Sequence, residues 1–219
     1  MALKLLLLLL PWPIRRMLLQ RLYGYELHPR SRMGLAWVYP DELIMGAGTS
    51  IGALTLVKGV RRLVLEDHAS IGRLNWITAY PAGGSPHFIH QTDRCPDLLL
   101  ARHSAITNRH IIDCTDRISI GEFATVAGFR SQLLTHSINL KTSRQEAKPI
   151  SIGAYTFVGT ACTVLGGAAL PDCSVLGANS LLNKPLTDTH RLYGGVPATV
   201  QGELDPSLAY FHRPAGFVT

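Results

Sequence analysis

Residues 152–184 read, in sixes, IGAYTF VGTACT VLGGAA LPDCSV LGANSL LNK, and this stretch decides the fold. Ile152, Val158, Val164, Leu170, Leu176 and Leu182 recur at a strict interval of six. Small residues follow them: Gly153, Gly159 and Gly177, then Ala154, Thr160 and Ala178. A period of six is neither the 3.6 of an amphipathic helix nor the 2 of a half-buried strand. It marks a solenoid with short flat turns, three hexads to one triangular coil. The aliphatic residue points inward and stacks on its equivalent in the next coil. The small residue beside it is expected to let the chain bend at a corner.

Working outward, the same interval starts at Leu43. It runs through Ile51-Gly52 and Val57, then Leu65, Ile71-Gly72 and Ile77, then Leu100, Ile106 and Ile112, then Ile120-Gly121 and Val126. Two steps, Val57 to Leu65 and Ile112 to Ile120, are eight residues long and are expected to swell a corner by two. The flanking words VRRLVLEDHASIG and TDRISIGEFATVAG resemble each other, which supports one solenoid over residues 43–184. Residues 1–42 are then a lead-in and 185–219 an irregular tail with a turn at Gly194 to Pro197.

Two stretches leave the repeat. Residues 79–99 are rich in Pro, Gly, Ser and Asp, and residues 136–149 are polar without an apolar period. Loops thrown off a rigid scaffold are where solenoids usually place function. Near the start, Leu5–Leu10 is too short to span a bilayer, which needs about 20 apolar residues. It also lacks the cleavage pattern of a signal peptide. Beyond Pro13, Ile14, Met17, Leu18 and Leu22 fall on one helical face, with Arg15, Arg16, Gln20 and Arg21 on the other. Such a basic amphipathic helix either lies on the inner face of an anionic membrane or packs against the solenoid or a neighbouring subunit.

The chain has 219 residues and a net charge of +6, enough for one domain with a substantial core. The charge suits a phosphorylated cosubstrate or an anionic surface. No compact Lys/Arg run interleaved with aromatics points to nucleic acid. Cys95, Cys114, Cys162 and Cys173 show no CxxC spacing and read as reduced thiols of a cytoplasmic protein.

From Leu134-Thr135-His136, through the polar loop to Lys148-Pro149-Ile150-Ser151-Ile152-Gly153, the hexads and Gly195-Val196-Pro197-Ala198, the chain resembles the hexapeptide-repeat acyltransferases, in particular their sugar O-acetyltransferase branch. The resemblance implies an all-β, left-handed parallel β-helix that assembles as a homotrimer. It implies acetyl-CoA as cosubstrate, bound between neighbouring coils, and a sugar or glycan acceptor. It makes His136 the catalytic base: a neutral imidazole takes the proton of a poorly nucleophilic hydroxyl as it attacks the thioester. Asn108 would orient the acceptor or the catalytic loop, or is an inward or corner residue of the solenoid. Gly159, Thr160, Gly177, Ala178, Asn183 and Lys184 would contact the cosubstrate, Lys184 at a phosphate, or are corner residues that the turns require. The branch often carries Arg where this chain has Thr199, and Arg191 is the candidate substitute on spacing.

Trp37, Trp76 and Tyr80 would either stack on a sugar ring or pack in the core. His87, His90, His103 and His110 show no spacing that singles out a metal site, so no metal is expected. The function implied is O-acetylation of a sugar in bacterial surface-polysaccharide assembly. The alternatives are N-acylation of an amino sugar or nucleotide sugar, or a trimeric scaffold without catalysis.

Overall fold

The computed structural model describes residues 2–83, 86–216 and 218. The repeat folds as a parallel β-helix with three sheets of seven, nine and seven strands. Each coil contributes one short strand to each sheet. A representative coil runs Arg62–Leu65, Ser70–Ile71, Trp76–Thr78. Between coils the register is parallel: Leu63 pairs with Leu98, Ile71 with Ile106 and Ile77 with Ile112. The inward residues form unbroken ladders, and Val57, Ile77, Ile112, Val158, Val164 and Leu176 are fully buried. These ladders bury β-branched and leucine side chains coil on coil, which supplies the main driving force for the fold.

Four expectations are corrected. The solenoid begins at Glu26–Leu27, not at residue 43, because Leu27, Met33 and Val38 form a first coil that pairs with Met45, Ile51 and Val57. Its spacing of six and then five hides it in the sequence. The eight-residue steps do not swell a corner. They lengthen strands of the first sheet, so that Leu63 and Leu65, or Ile118 and Ile120, both point inward.

Nor do the repeat glycines make the bend. At the corners the left-handed conformation falls on residues such as Leu54, Leu74, Arg109, Ala161 and Asn179. Gly159 is required for another reason: a Cβ there would stand 2.7 Å from the Ala178 nitrogen of the next coil.

Helices α1 (Ala2–Leu8) and α2 (Trp12–Tyr23) close the N-terminal end of the stack. Leu7 and Leu19 join the core. Arg15, read from the sequence as part of an outer polar face, is instead buried. It donates to the Gly34 and Ala36 carbonyls, which the first coil leaves without a strand partner below. Ile14, Met17 and Leu22 stay exposed.

At the other end Arg191–Gly194 adds a parallel strand to the second sheet, and Thr199–Glu203 returns antiparallel to it. The tail then folds back along the solenoid, where the Tyr210 hydroxyl donates to the Thr156 carbonyl.

Candidate active site

Both excursions leave the same corner, from the third sheet to the first. The first covers residues 79–96, with Gly84 and Ser85 outside the described residues. The second is a β-hairpin, His136–Asn139 against Arg144–Ala147. Two coils separate their exits, so the excursions meet in space. The Gln91 side-chain amide donates to the Ala147 carbonyl at 2.5 Å and accepts from the Ala147 amide at 2.9 Å. His90 Nε2 lies 2.8 Å from the Gln145 carbonyl. The first excursion thus binds the open edge of the hairpin as another strand would.

His136 sits where the two meet. Its Nδ1 is 2.6 Å from Asp113 Oδ2, and the same oxygen accepts the His136 backbone amide at 3.0 Å. Asp113 closes the third-sheet strand of the preceding coil, Ile111–Asp113, and is only 7% exposed. Its other oxygen accepts from the Thr115 amide and hydroxyl. Burial pushes the Asp113 carboxyl up, but the hydrogen bonds from His136 and Thr115 outweigh it and hold the group below its usual range.

The carboxylate is therefore an acceptor only, Nδ1 carries the proton, and the Nε2 lone pair is the basic one. The bond to Asp113 raises the His136 pKa against the opposing effects of burial and Arg94. Among the described residues no protein group bonds Nε2, and the side chain is 34% exposed.

The first excursion also walls the imidazole. Tyr80 packs edge-on at 5.5 Å between ring centroids and Phe88 at 6.3 Å. Arg94, 6% exposed, stacks 3.9 Å over Phe88 and donates to the Tyr80, Pro81 and Thr115 carbonyls. A cleft of about 570 Å³ opens between the excursions, lined by His87, His90, Ile138 and Arg144 among others. That volume suits a small-molecule group.

The remaining candidates divide among three edges of the solenoid. Asn183 and Lys184 are exposed and follow Leu181–Leu182, on the corner that carries His136 and two coils further along. Gly159, Thr160, Gly177 and Ala178 lie on the corner between the second and third sheets. Asn108 is on that same corner, where its Oδ1 accepts the Arg73 amide at 2.7 Å. A strand of the third sheet stands between Asn108 and Asp113. The three-residue strand Ile111–Asp113, at ~3.3 Å per residue, holds these two edges about 10 Å or more apart, so one chain does not bring Asn108 to its own His136. Thr160 uses its hydroxyl on the Phe129 amide and carbonyl. Arg191, at the opposite side of the second sheet, is paired with Glu203 at 3.2 Å.

Trp76 projects outward from the third sheet and is 60% exposed, while Trp37 packs on Tyr39 at 5.0 Å. The four histidines weighed for metal do not gather. His110 is buried between coils, its pKa pushed down to about 4 by burial, and accepts the Ser131 amide. His103 stacks on His68 at 4.7 Å. Among the described residues no three His, Cys, Asp or Glu side chains group as metal ligands.

No repeat or motif in the sequence singles out Asp113, Gln91 or Arg94. The available signal for Asp113 was an acid directly after the inward Ile112, one coil before His136.

No protein-family profile matches the chain, and no curated protein does. Solved structures do. The polysialic acid O-acetyltransferase OatWY is 18% identical, with a TM-score of 0.57 over 82% of this chain and 84% of that one. A variant of AntD, an N-acyltransferase from Bacillus cereus crystallised with a nucleotide-linked amino sugar and coenzyme A, is 11% identical, with a TM-score of 0.55 over 74% and 87%. A hexapeptide-repeat acetyltransferase from Vibrio cholerae is 20% identical, with a TM-score of 0.47 over 93% and 88%. The fold of this chain is the left-handed, hexapeptide-repeat β-helix of these acyltransferases.

Proposed function

We propose that the protein transfers the acetyl group of acetyl-CoA to a sugar hydroxyl, with His136 as general base. The Asp113–His136 pair carries this reading. A buried carboxylate fixes the tautomer of a half-exposed imidazole and leaves its basic nitrogen free, as proton abstraction requires. The acceptor hydroxyl gives its proton to His136 Nε2 as its oxygen attacks the thioester carbonyl. Asp113 stabilises the imidazolium that forms. On collapse the carbon–sulfur bond breaks, and His136 returns the proton to the departing thiolate. A trimeric scaffold without catalysis would have no use for this pair.

The residues suit the cosubstrate. Lys184 is exposed, forms no ion pair among the described residues, and shares an edge with His136. Thr160, Ala178 and Asn108 reach the same site only from another copy of the chain. That geometry supports a homotrimer packed through the outward face of the third sheet, where Trp76 and Ile111 are 60% and 49% exposed. The acceptor we favour is a glycan of surface-polysaccharide assembly, met at the cytoplasmic face of the membrane.

The test is thiol release from acetyl-CoA with a panel of oligosaccharides, sialosides and amino sugars. Transfer to a hydroxyl that depends on His136 is expected. Transfer to amino acceptors alone would move the assignment to N-acylation, and equal release by His136→Ala would remove the base.

A further inference from the structure

The N-terminal helices carry a surface that the proposed chemistry does not use. α1 and α2 turn their buried side, Leu7, Arg15 and Leu19, to the end of the solenoid. Leu3, Leu5, Leu6, Leu9, Ile14, Met17 and Leu22 of the same segment remain at the surface, each between 47% and 78% exposed. Single exposed apolar residues are ordinary, but six on two short helices, with Leu9 in the turn between them, make a patch of the kind that marks an interaction site.

The charge of the same segment says what covers it. Residues 1–25 contain no Asp or Glu, and Glu26 is the first acid of the chain. Arg21 is exposed among the apolar side chains, while Lys4 Nζ lies 4.5 Å over the Tyr39 ring and Arg16 donates to the Pro29 carbonyl. On α2, Arg21 follows Ile14 and Met17 by seven and four residues, so it shares their face and not the opposite polar one expected above. A second copy laid on this acid-free patch would set Arg21 against like charge, whereas an anionic lipid surface complements both the leucines and Arg21. Neither helix is long enough to cross a bilayer, at 7 and 12 residues, so the pair lies in the interface.

We infer that the two N-terminal helices dock on an anionic membrane through Leu3, Leu5, Leu6, Leu9, Ile14, Met17 and Leu22. Because these helices cap the first coil, the solenoid then stands on the membrane by its N-terminal end. His136 follows the fifth coil. Four coil steps of ~4.8 Å set it about 19 Å beyond the first coil, which the helices cap. Resting on the function proposed above, this height selects acceptors that extend several sugar units from a lipid anchor.

The experiment is flotation of the full chain with vesicles of phosphatidylcholine containing phosphatidylglycerol, and with phosphatidylcholine alone. The expected result is recovery with the anionic vesicles, falling at least about tenfold for the double variant Leu6→Glu, Met17→Glu. Circular dichroism and thiol release on a soluble acceptor should be unchanged in that variant. Three results overturn the inference: no flotation of the wild type, equal flotation of the double variant, or a particle mass that the double variant halves, which would assign the patch to a second copy. Flotation without any thiol release leaves the docking intact and sinks only the enzymatic reading.

Discussion

His136 Nδ1 lies 2.6 Å from Asp113 Oδ2, although 23 residues separate them in the chain. One coil carries the chain from Asp113 to its register partner Leu134, and Thr135 and His136 make up the remaining two residues. The acid therefore stacks directly beneath the base. Removing the base should lower turnover on the order of 10²–10⁴-fold, with the fold and coenzyme A binding retained. His136→Ala assayed by thiol release, beside calorimetric titration with coenzyme A, checks both halves.

Asp113→Asn should lower kcat and also move the pH profile. The base acts unprotonated, so the rate rises with pH through the His136 pKa. Asp113 raises that pKa, so its loss shifts the rise to lower pH while the plateau falls on the order of 10²–10⁴-fold. An unmoved profile would mean that Asp113 only packs.

The same pair makes stability depend on pH. His136 has a folded pKa above its ordinary 6.5, so its contribution is full below 6.5 and is lost as pH rises through the folded value. Asp113 has a folded pKa below 3.8, so its contribution is full above 3.8 and is lost as pH falls through the folded value. Coupling between Asp113→Asn and His136→Gln in denaturant unfolding should therefore peak between those two values and fade on either side. A coupling that stays constant as pH is carried beyond both values contradicts the pairing.

Gln91 holds the two excursions together by two hydrogen bonds to one residue, Ala147. Gln91→Ala should lower the local opening free energy by about 1–3 kcal/mol. Faster amide exchange at Ala147, with the exchange of Ile112 and Val164 unchanged, is the expected signature. Because the Tyr80 and Phe88 wall travels with this excursion, KM for the acceptor should rise more than kcat falls.

Arg15→Leu keeps an apolar side chain under the first coil but strands the Gly34 and Ala36 carbonyls. Each unsatisfied group costs about 1–3 kcal/mol. A lowered thermal midpoint is expected, together with exposure of the N-terminal helices to proteolysis. A midpoint equal to that of the wild type would show that water replaces the guanidinium.

The hexads alone determined the triangular coil, its inward ladders from Ile51 to Leu182, and the two places where the chain departs from them. These are one-dimensional facts, because each coil repeats the same local pattern and rests only on its neighbours. His136 was legible for the same reason: it stands where the period stops. The first coil was not, since Leu27, Met33 and Val38 keep the ladder but not the spacing. The role of Arg15 was also hidden. Helical periodicity places a residue on a face without saying what that face meets, and only the open end of the solenoid offered carbonyls to a buried cation. The partners of His136 were decided by tertiary structure alone. Asp113 arrives by stacking of coils, and Tyr80, Phe88 and Gln91 arrive because two excursions exit one corner. Contacts of that kind depend on distances across the chain, which no local pattern of residues encodes.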